Sequence, residues 1–144
     1  MGFNESLTMH FEASQEDIGF LWDKIIEFNK SIGPMLEYPP YEPYRIIFRN
    51  DKNEIVAGIL TKIYLKCMYV ELLWLNEKLR GNRMGSELLE KVEGYAKGKG
   101  CKFIHLDTFS FQAIDFYIKH GYEVFGTLED FPEGVKRYYL KKYL

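Results

Sequence analysis

Between residues 68 and 75 the chain passes through Met68, Val70, Leu72, Leu73, Trp74 and Leu75 with little polar interruption, which predicts a buried strand. A short polar stretch follows, then a glycine-bearing loop, Arg80-Gly81-Asn82-Arg83-Met84-Gly85. Beyond it Met84, Leu88, Leu89, Val92, Tyr95 and Ala96 recur at helical spacing, and Lys97-Gly98-Lys99-Gly100 closes that helix with cations and glycine. Strand, loop and helix in this order predict an anion site. The first N–H groups of a helix have no internal partner, the helix dipole adds partial positive charge, and glycine lets the backbone approach closely.

The rest of the chain is patterned just as legibly. Residues 7–13 alternate Leu7, Met9 and Phe11 against Thr8, His10 and Glu12, the period of a half-buried strand. Ser14-Gln15-Glu16-Asp17 resembles a capping box, and Ile18, Leu21, Trp22, Ile25, Phe28 and Ile32 predict a helix ending near Gly33-Pro34. Four of the five prolines fall within 33–43 beside Tyr38 and Tyr41, so a rigid aromatic loop is expected there. Residues 44–49 and 54–64 read as strands around the turn 50–53, and Lys66-Cys67 interrupts briefly before the 68–75 strand, which predicts three antiparallel neighbours. Residues 103–107 follow a strand–helix unit and should lie parallel to 68–75. Ala113, Phe116, Tyr117 and His120 suggest a short helix stopped at Gly121, and strands at 122–128 and 135–143 flank the turn Phe131-Pro132-Glu133-Gly134. With no linker or repeat, the expectation is a single α/β (mixed α+β) domain over 1–144. Its core is a central mixed, mostly antiparallel twisted sheet flanked by helices.

Charge narrows the choice of partner. A net charge of −2 and a pI near 6.0 argue against a general nucleic-acid binder. The basic and aromatic run Lys136-Arg137-Tyr138-Tyr139-Leu140-Lys141-Lys142-Tyr143 could form a nucleic-acid patch, but a strand with alternating faces explains it better. Cys67 and Cys101 make no disulfide framework and are expected in or near the core, and His10, His105 and His120 lack metal-ligand spacing. No leader opens the chain and no apolar run approaches the roughly 20 residues of a membrane span. A cytoplasmic protein without metal or membrane partner is expected.

The loop does not fit the common phosphate fingerprints. A Walker-type loop needs lysine and Ser or Thr after its last glycine, whereas Gly85 is followed by Ser86-Glu87, and no G-x-G-x-x-G is present. Instead, residues 80–85 resemble motif A of the GNAT superfamily of acyl-CoA N-acyltransferases, Q/R-x-x-G-x-G/A. Arg80 and Gly85 match its first and last positions, and Arg83 stands in place of the first glycine. A side chain there is expected to join the first helical turn. Residues 108–125 resemble the family's motif B, N-x-x-A-x-x-x-Y-x-K-x-G-F/Y, with Ala113, Tyr117, Lys119, Gly121 and Tyr122 in register and Ser110 in place of asparagine. The order of elements agrees with the family over nearly the whole chain.

The resemblance implies an N-acetyltransferase using acetyl-CoA and no metal. The cofactor's pyrophosphate would lie on the amides of Arg80, Gly81, Asn82, Arg83, Met84, Gly85 and Ser86, with the Arg80 and Arg83 side chains adding charge. It also implies a bulge in the 68–75 strand and a V-shaped gap beside 103–107, where backbone at Leu73, Trp74 and Leu75 would hold the pantetheine arm and stabilise charge on the thioester oxygen. Ser110 and Ala113 fall at further cofactor contacts, and Tyr117 matches the family's general acid. The base that takes the proton of the incoming ammonium is expected at Glu71, four residues before Leu75 and so on the same face, with Asp107, His105 and Glu37 as weaker candidates. Trp22, Tyr38, Tyr41 and Trp74, with Phe131, would line an aromatic acceptor pocket for a small-molecule or peptide amine. A homodimer could form through the exposed edge of the final strands. The main alternative is a non-catalytic acyl-CoA-binding regulatory module on the same scaffold, which would not need a proton donor at Tyr117.

Overall fold

The computed structural model describes residues 5–33 and 41–144. Two compact units make up the chain, Met1–Tyr38 and Pro39–Leu144. In the first, α1 (Gln15–Ser31) opens on the expected capping box. The Asp17 N–H donates to Ser14 Oγ at 3.1 Å and the Ser14 N–H to Asp17 Oδ2 at 2.8 Å. The Ser14 N–H holds the Asp17 carboxyl below its ordinary value. The strand expected at 7–13 is not formed, and Phe11 is 91% exposed. Alternation makes a strand only where a neighbour satisfies the backbone, and this unit holds no other strand among its described residues.

The second unit is a six-stranded sheet in the order β1-β2-β3-β4-β6-β5. Its strands are β1 (Glu42–Arg49), β2 (Ile55–Tyr64), β3 (Cys67–Leu75), β4 (Phe103–Phe109), β5 (Glu123–Leu128) and β6 (Arg137–Tyr143). The β3–β4 pair is parallel and every other pair antiparallel, so the sheet is mixed and mostly antiparallel as expected. A parallel step requires a crossover, which α2 (Met84–Gly98) supplies, and α3 (Ile114–Lys119) links β4 to β5. β1 starts two residues earlier than its pattern suggests and takes in Pro43, which an outer strand tolerates.

One face of this sheet carries the core. Ala57, Ile59 and Ile63 of β2, Met68 and Val70 of β3, Ile104 and Leu106 of β4 and Leu140 of β6 are buried with Leu88, Leu89, Val92 and Ala96 of α2. The helical stripe read from the sequence is therefore the buried stripe. Thr61 is the fully buried polar residue in this face, and its hydroxyl donates to the Tyr44 carbonyl at 2.7 Å, so its burial leaves no orphaned group. Glu93 of α2 accepts from both Tyr122 Oη and Lys142 Nζ at 3.0 Å, fastening α2 to β6. Cys67 is half-buried, Cys101 is buried, and both are free thiols.

Candidate active site

The strands at the centre of the sheet part company early. β3 and β4 pair only at Cys67↔Phe103, Met68↔Ile104 and Tyr69↔His105. Beyond that point residues 70–75 and 106–109 have no partner across the gap, although β4 stays paired to β6 along its whole length and β3 to β2. β3 also carries a bulge. Val70 pairs with Thr61 and Leu72 with Leu60, which leaves Glu71 as the extra residue. Both features that the resemblance implied are thus present.

The bulge overturns one expectation about Glu71. A bulge shifts strand parity by one, so Val70, Leu73 and Leu75 all pair with the buried face of β2. Glu71 instead turns to the opposite face, where its carboxylate lies 3.1 Å from Lys62 Nζ. It does not share the face of Leu75, because the four-residue spacing counts across an inserted residue.

At the wide end of the gap stands the glycine loop. Residues 77–79 form a single 3-10 turn, and the Arg80 N–H donates to the Glu77 carbonyl at 3.2 Å, so that amide is already used. Among the described residues no carbonyl takes the N–H groups of residues 81–86. The first helical bond runs from the Glu87 N–H to the Arg83 carbonyl at 2.9 Å. Gly81, at φ 84°, supplies a left-handed turn. Arg83 does not join the first turn as expected. It is the N-cap, at φ 59° and ψ 4°. The loop keeps the left-handed step that glycine would take most easily, and the side chain bears the strain. Arg83→Gly should therefore raise the unfolding free energy by about 0.5–1 kcal/mol in urea titrations.

Gap and loop open into one cleft of about 970 Å³. It is lined by Glu71, Leu73, Trp74, Leu75, Arg80, Gly81, Arg83, Met84, Gly85, Ser86, Asp107, Ala113 and Tyr117 among the residues singled out from sequence. Asn82 belongs to the same loop without lining the cleft. Tyr117 is buried, and burial pushes its phenol up to about 12. No protein group among the described residues bonds its hydroxyl, and its oxygen is not sealed from solvent. That leaves a protonated phenol, without a protein partner, on a residue that lines the cleft.

Ser110 does not line the cleft. Its Oγ accepts the Lys136 N–H at 3.1 Å and its own N–H donates to the Lys136 carbonyl at 2.8 Å, so it fastens β4 to the start of β6. Trp22 lies on α1 in the N-terminal unit, and Tyr38 and Glu37 fall outside the described residues. Tyr41 stacks on Tyr64 at 4.7 Å, with Lys62 Nζ 5.3 Å from its ring, on the face that also holds Glu71. Phe131 packs edge-on against Phe109 at 5.8 Å. His105 sits beside Cys67 with Sγ and Nε2 3.9 Å apart, and burial lowers its pKa, which favours the neutral ring.

Several cleft residues were given no site role by sequence reasoning, among them three polar side chains. Gln112 accepts from Thr108 Oγ1 at 3.1 Å and the Phe109 N–H at 2.8 Å, closing the end of β4. Lys119 and His120 also line the cleft. Lys119 matched motif B and could have been found by it, whereas nothing local marks Gln112. Among the described residues no group of His, Cys, Asp and Glu is placed to hold a metal, and no helix is long and apolar enough to cross a membrane. The basic C-terminal run is the strand its alternation suggested. Lys136 pairs with Glu129, Arg137 with Asp107 and Lys142 with Glu93.

Similarity to known proteins follows the same lines. The chain is 30% identical over 112 residues to blasticidin-S acetyltransferase from Streptomyces morookaense, covering 77% of this chain and 82% of that protein. An acetyltransferase from Bacillus cereus shares the fold with a TM-score of 0.85 at 34% identity, covering 95% of this chain and 98% of that one. An aminoglycoside 6′-N-acetyltransferase solved with coenzyme A superposes at a TM-score of 0.61 and 16% identity over 94% and 97% of the two chains, a likeness of fold alone. Residues 11–122 match the Acetyltransferase (GNAT) family. A sheet that splits beside a bulge, and a loop of free amides at the helix that follows, are what that match needs in three dimensions, and the chain is an acetyltransferase of the GNAT family.

Proposed function

We propose that this acetyltransferase moves the acetyl group of acetyl-CoA onto a primary amine of a small molecule or peptide, by direct attack with both substrates bound. The observation that carries this reading is the continuity of the cleft. The β3 residues that lack a partner on β4, the loop residues Gly81 and 83–86 with their free amides, and Tyr117 with its unbonded hydroxyl all line the same space. A row of N–H donors at a helix start suits a pyrophosphate, and the open strand edge suits an extended amide-bearing arm. Bound acetyl-CoA would supply an acetyl group activated as a thioester.

The chain's own residues would do the rest. Leu73, Trp74 and Leu75 offer backbone groups along the gap, and residues 81–86 offer amides at its end. Arg80 and Arg83 add charge through their side chains, and Ala113 lines the wall. Ser110 contributes by fixing the end of β4, its Oγ accepting the Lys136 N–H. Holding the amine beside the thioester removes most of the entropic cost of the encounter. Glu71 takes the ammonium proton and Tyr117 Oη delivers one to the departing sulfur. On the acceptor side, Trp74 lines the cleft and Tyr41 lies on the Glu71 face. The relative named for blasticidin S favours a small-molecule acceptor over a peptide.

Thermal denaturation with and without coenzyme A tests the cofactor, and thiol release from acetyl-CoA across an amine panel tests the reaction. Stabilisation together with amine-dependent release is expected, and no stabilisation would overturn the reading. Glu71→Gln should lower kcat/KM for the amine by about 10- to 100-fold at neutral pH. The loss should shrink as pH rises through the acceptor's own pKa, where the amine no longer needs a base. An unchanged pH profile would assign that proton to water.

A further inference from the structure

Where the β3–β4 ladder ends, a side-chain network takes over. Tyr69 of β3 belongs to the last paired step, opposite His105. Its hydroxyl reaches past that step and donates to Asp107 Oδ2 at 2.7 Å. Asp107 Oδ1 accepts from Arg137 of β6, from Nε at 2.9 Å and Nη2 at 2.6 Å. Both carboxylate oxygens are therefore occupied, and the Asp107 side chain is only 16% exposed although the residue lines the cleft. A charge-assisted pair of this geometry is among the stronger polar contacts a protein makes. Below it β3 and β4 are paired, and above it they are not.

We propose that Asp107 is a positioning residue that sets the width of the gap, by tying Tyr69 on one side to Arg137 on the other at the vertex of the V, and that it takes no proton in the reaction. This rests on the reading that the gap receives the pantetheine arm of acetyl-CoA. Without the tie, what joins β3 and β4 near the vertex is three backbone steps, the Cys67–His105 contact and the Tyr69 ring lying 5.0 Å from that of His105. The gap then has no fixed width, and the cofactor must order it on binding, which weakens affinity without touching the chemical step. The arrangement also counts against Asp107 as the base, because three donors already sit on its two oxygens and a proton taken there would set the carboxyl against the Arg137 guanidinium.

Three variants separate a tie from a base. Asp107→Ala and Tyr69→Phe should each raise the KM for acetyl-CoA and the Kd for coenzyme A, by about tenfold for Asp107→Ala and less for Tyr69→Phe, with kcat changed by no more than about threefold. Asp107→Asn keeps an oxygen for Arg137 and offers an N–H to Tyr69 Oη, so it should bind coenzyme A nearly as the wild type does. Hydrogen exchange of residues 67–70 in the free protein should be faster in Asp107→Ala than in the wild type. That readout needs no cofactor, so it stands apart from the functional reading, which the wild type's own binding of coenzyme A decides. Unchanged exchange in Asp107→Ala would overturn the proposal. So would an Asp107→Asn variant that binds coenzyme A normally but loses kcat about 100-fold, the behaviour of a base.

Discussion

Tyr117→Phe is expected to lower kcat about 100-fold while leaving the Kd for coenzyme A and the unfolding free energy nearly unchanged. The variant removes one oxygen that bonds no protein group among the described residues, so the folded state loses little. The ring keeps its edge-on contacts with Phe116 at 5.2 Å and Tyr122 at 5.8 Å. What is lost is the proton donor in the cleft. Because burial raises the Tyr117 phenol to about 12, it remains protonated over the whole working range. The wild-type kcat should accordingly show no descending limb between about pH 7 and pH 10, where an exposed tyrosine would begin to ionise. Turnover followed by thiol release, with coenzyme A affinity measured by calorimetry, checks both statements. Normal turnover in Tyr117→Phe would remove it from the mechanism.

Gly85→Val should weaken coenzyme A binding about 100-fold and lower the melting temperature as well. Gly85 is the second residue of α2, in the turn that presents the free amides. A Cβ built there would lie 3.4 Å from the Phe116 ring and 3.7 Å from Leu75 Cδ1. An alanine Cβ would sit at the near limit of ordinary van der Waals contact, so Gly85→Ala should lose no more than about tenfold in affinity. Valine adds two more carbons and cannot be housed without lifting the start of α2 away from α3 and β3. That displacement moves every donor of residues 84–86 together, and this is why the binding loss should exceed the loss in stability. The graded series from glycine through alanine to valine distinguishes this from simple crowding of a ligand. Equal coenzyme A affinity in all three would mean that the helix start does not anchor the cofactor.

The gap width assigned to Asp107 and the loop strain assigned to Arg83 bear on the same site from opposite ends. One fixes the vertex of the V and the other its mouth. Arg83→Gly relaxes the mouth and removes a cation at the same time, so its gain in stability should come with no gain in cofactor affinity. This pairing separates backbone strain from charge at that position.

What the sequence by itself determined was local. The stripe Leu88, Leu89, Val92 and Ala96, the capping box at Ser14 and Asp17, and the glycine loop between strand and helix were all legible, because helical period, caps and turns act over a few residues. The motif match extended this to the pairing of the loop with Tyr117, two segments that no periodicity connects. Only the tertiary structure decided which way Glu71 points, since the inserted residue reverses strand parity and becomes visible only against β2. The same holds for Ser110, whose hydroxyl is claimed by Lys136, and for Asp107, whose carboxylate is filled from β3 and β6. The alternating residues 7–13 show the reverse case, a strand pattern with no partner strand among the described residues of its own unit to complete the ladder. Pattern reports what a segment offers its neighbours, and the role of a side chain at the site depends on which neighbours the fold brings.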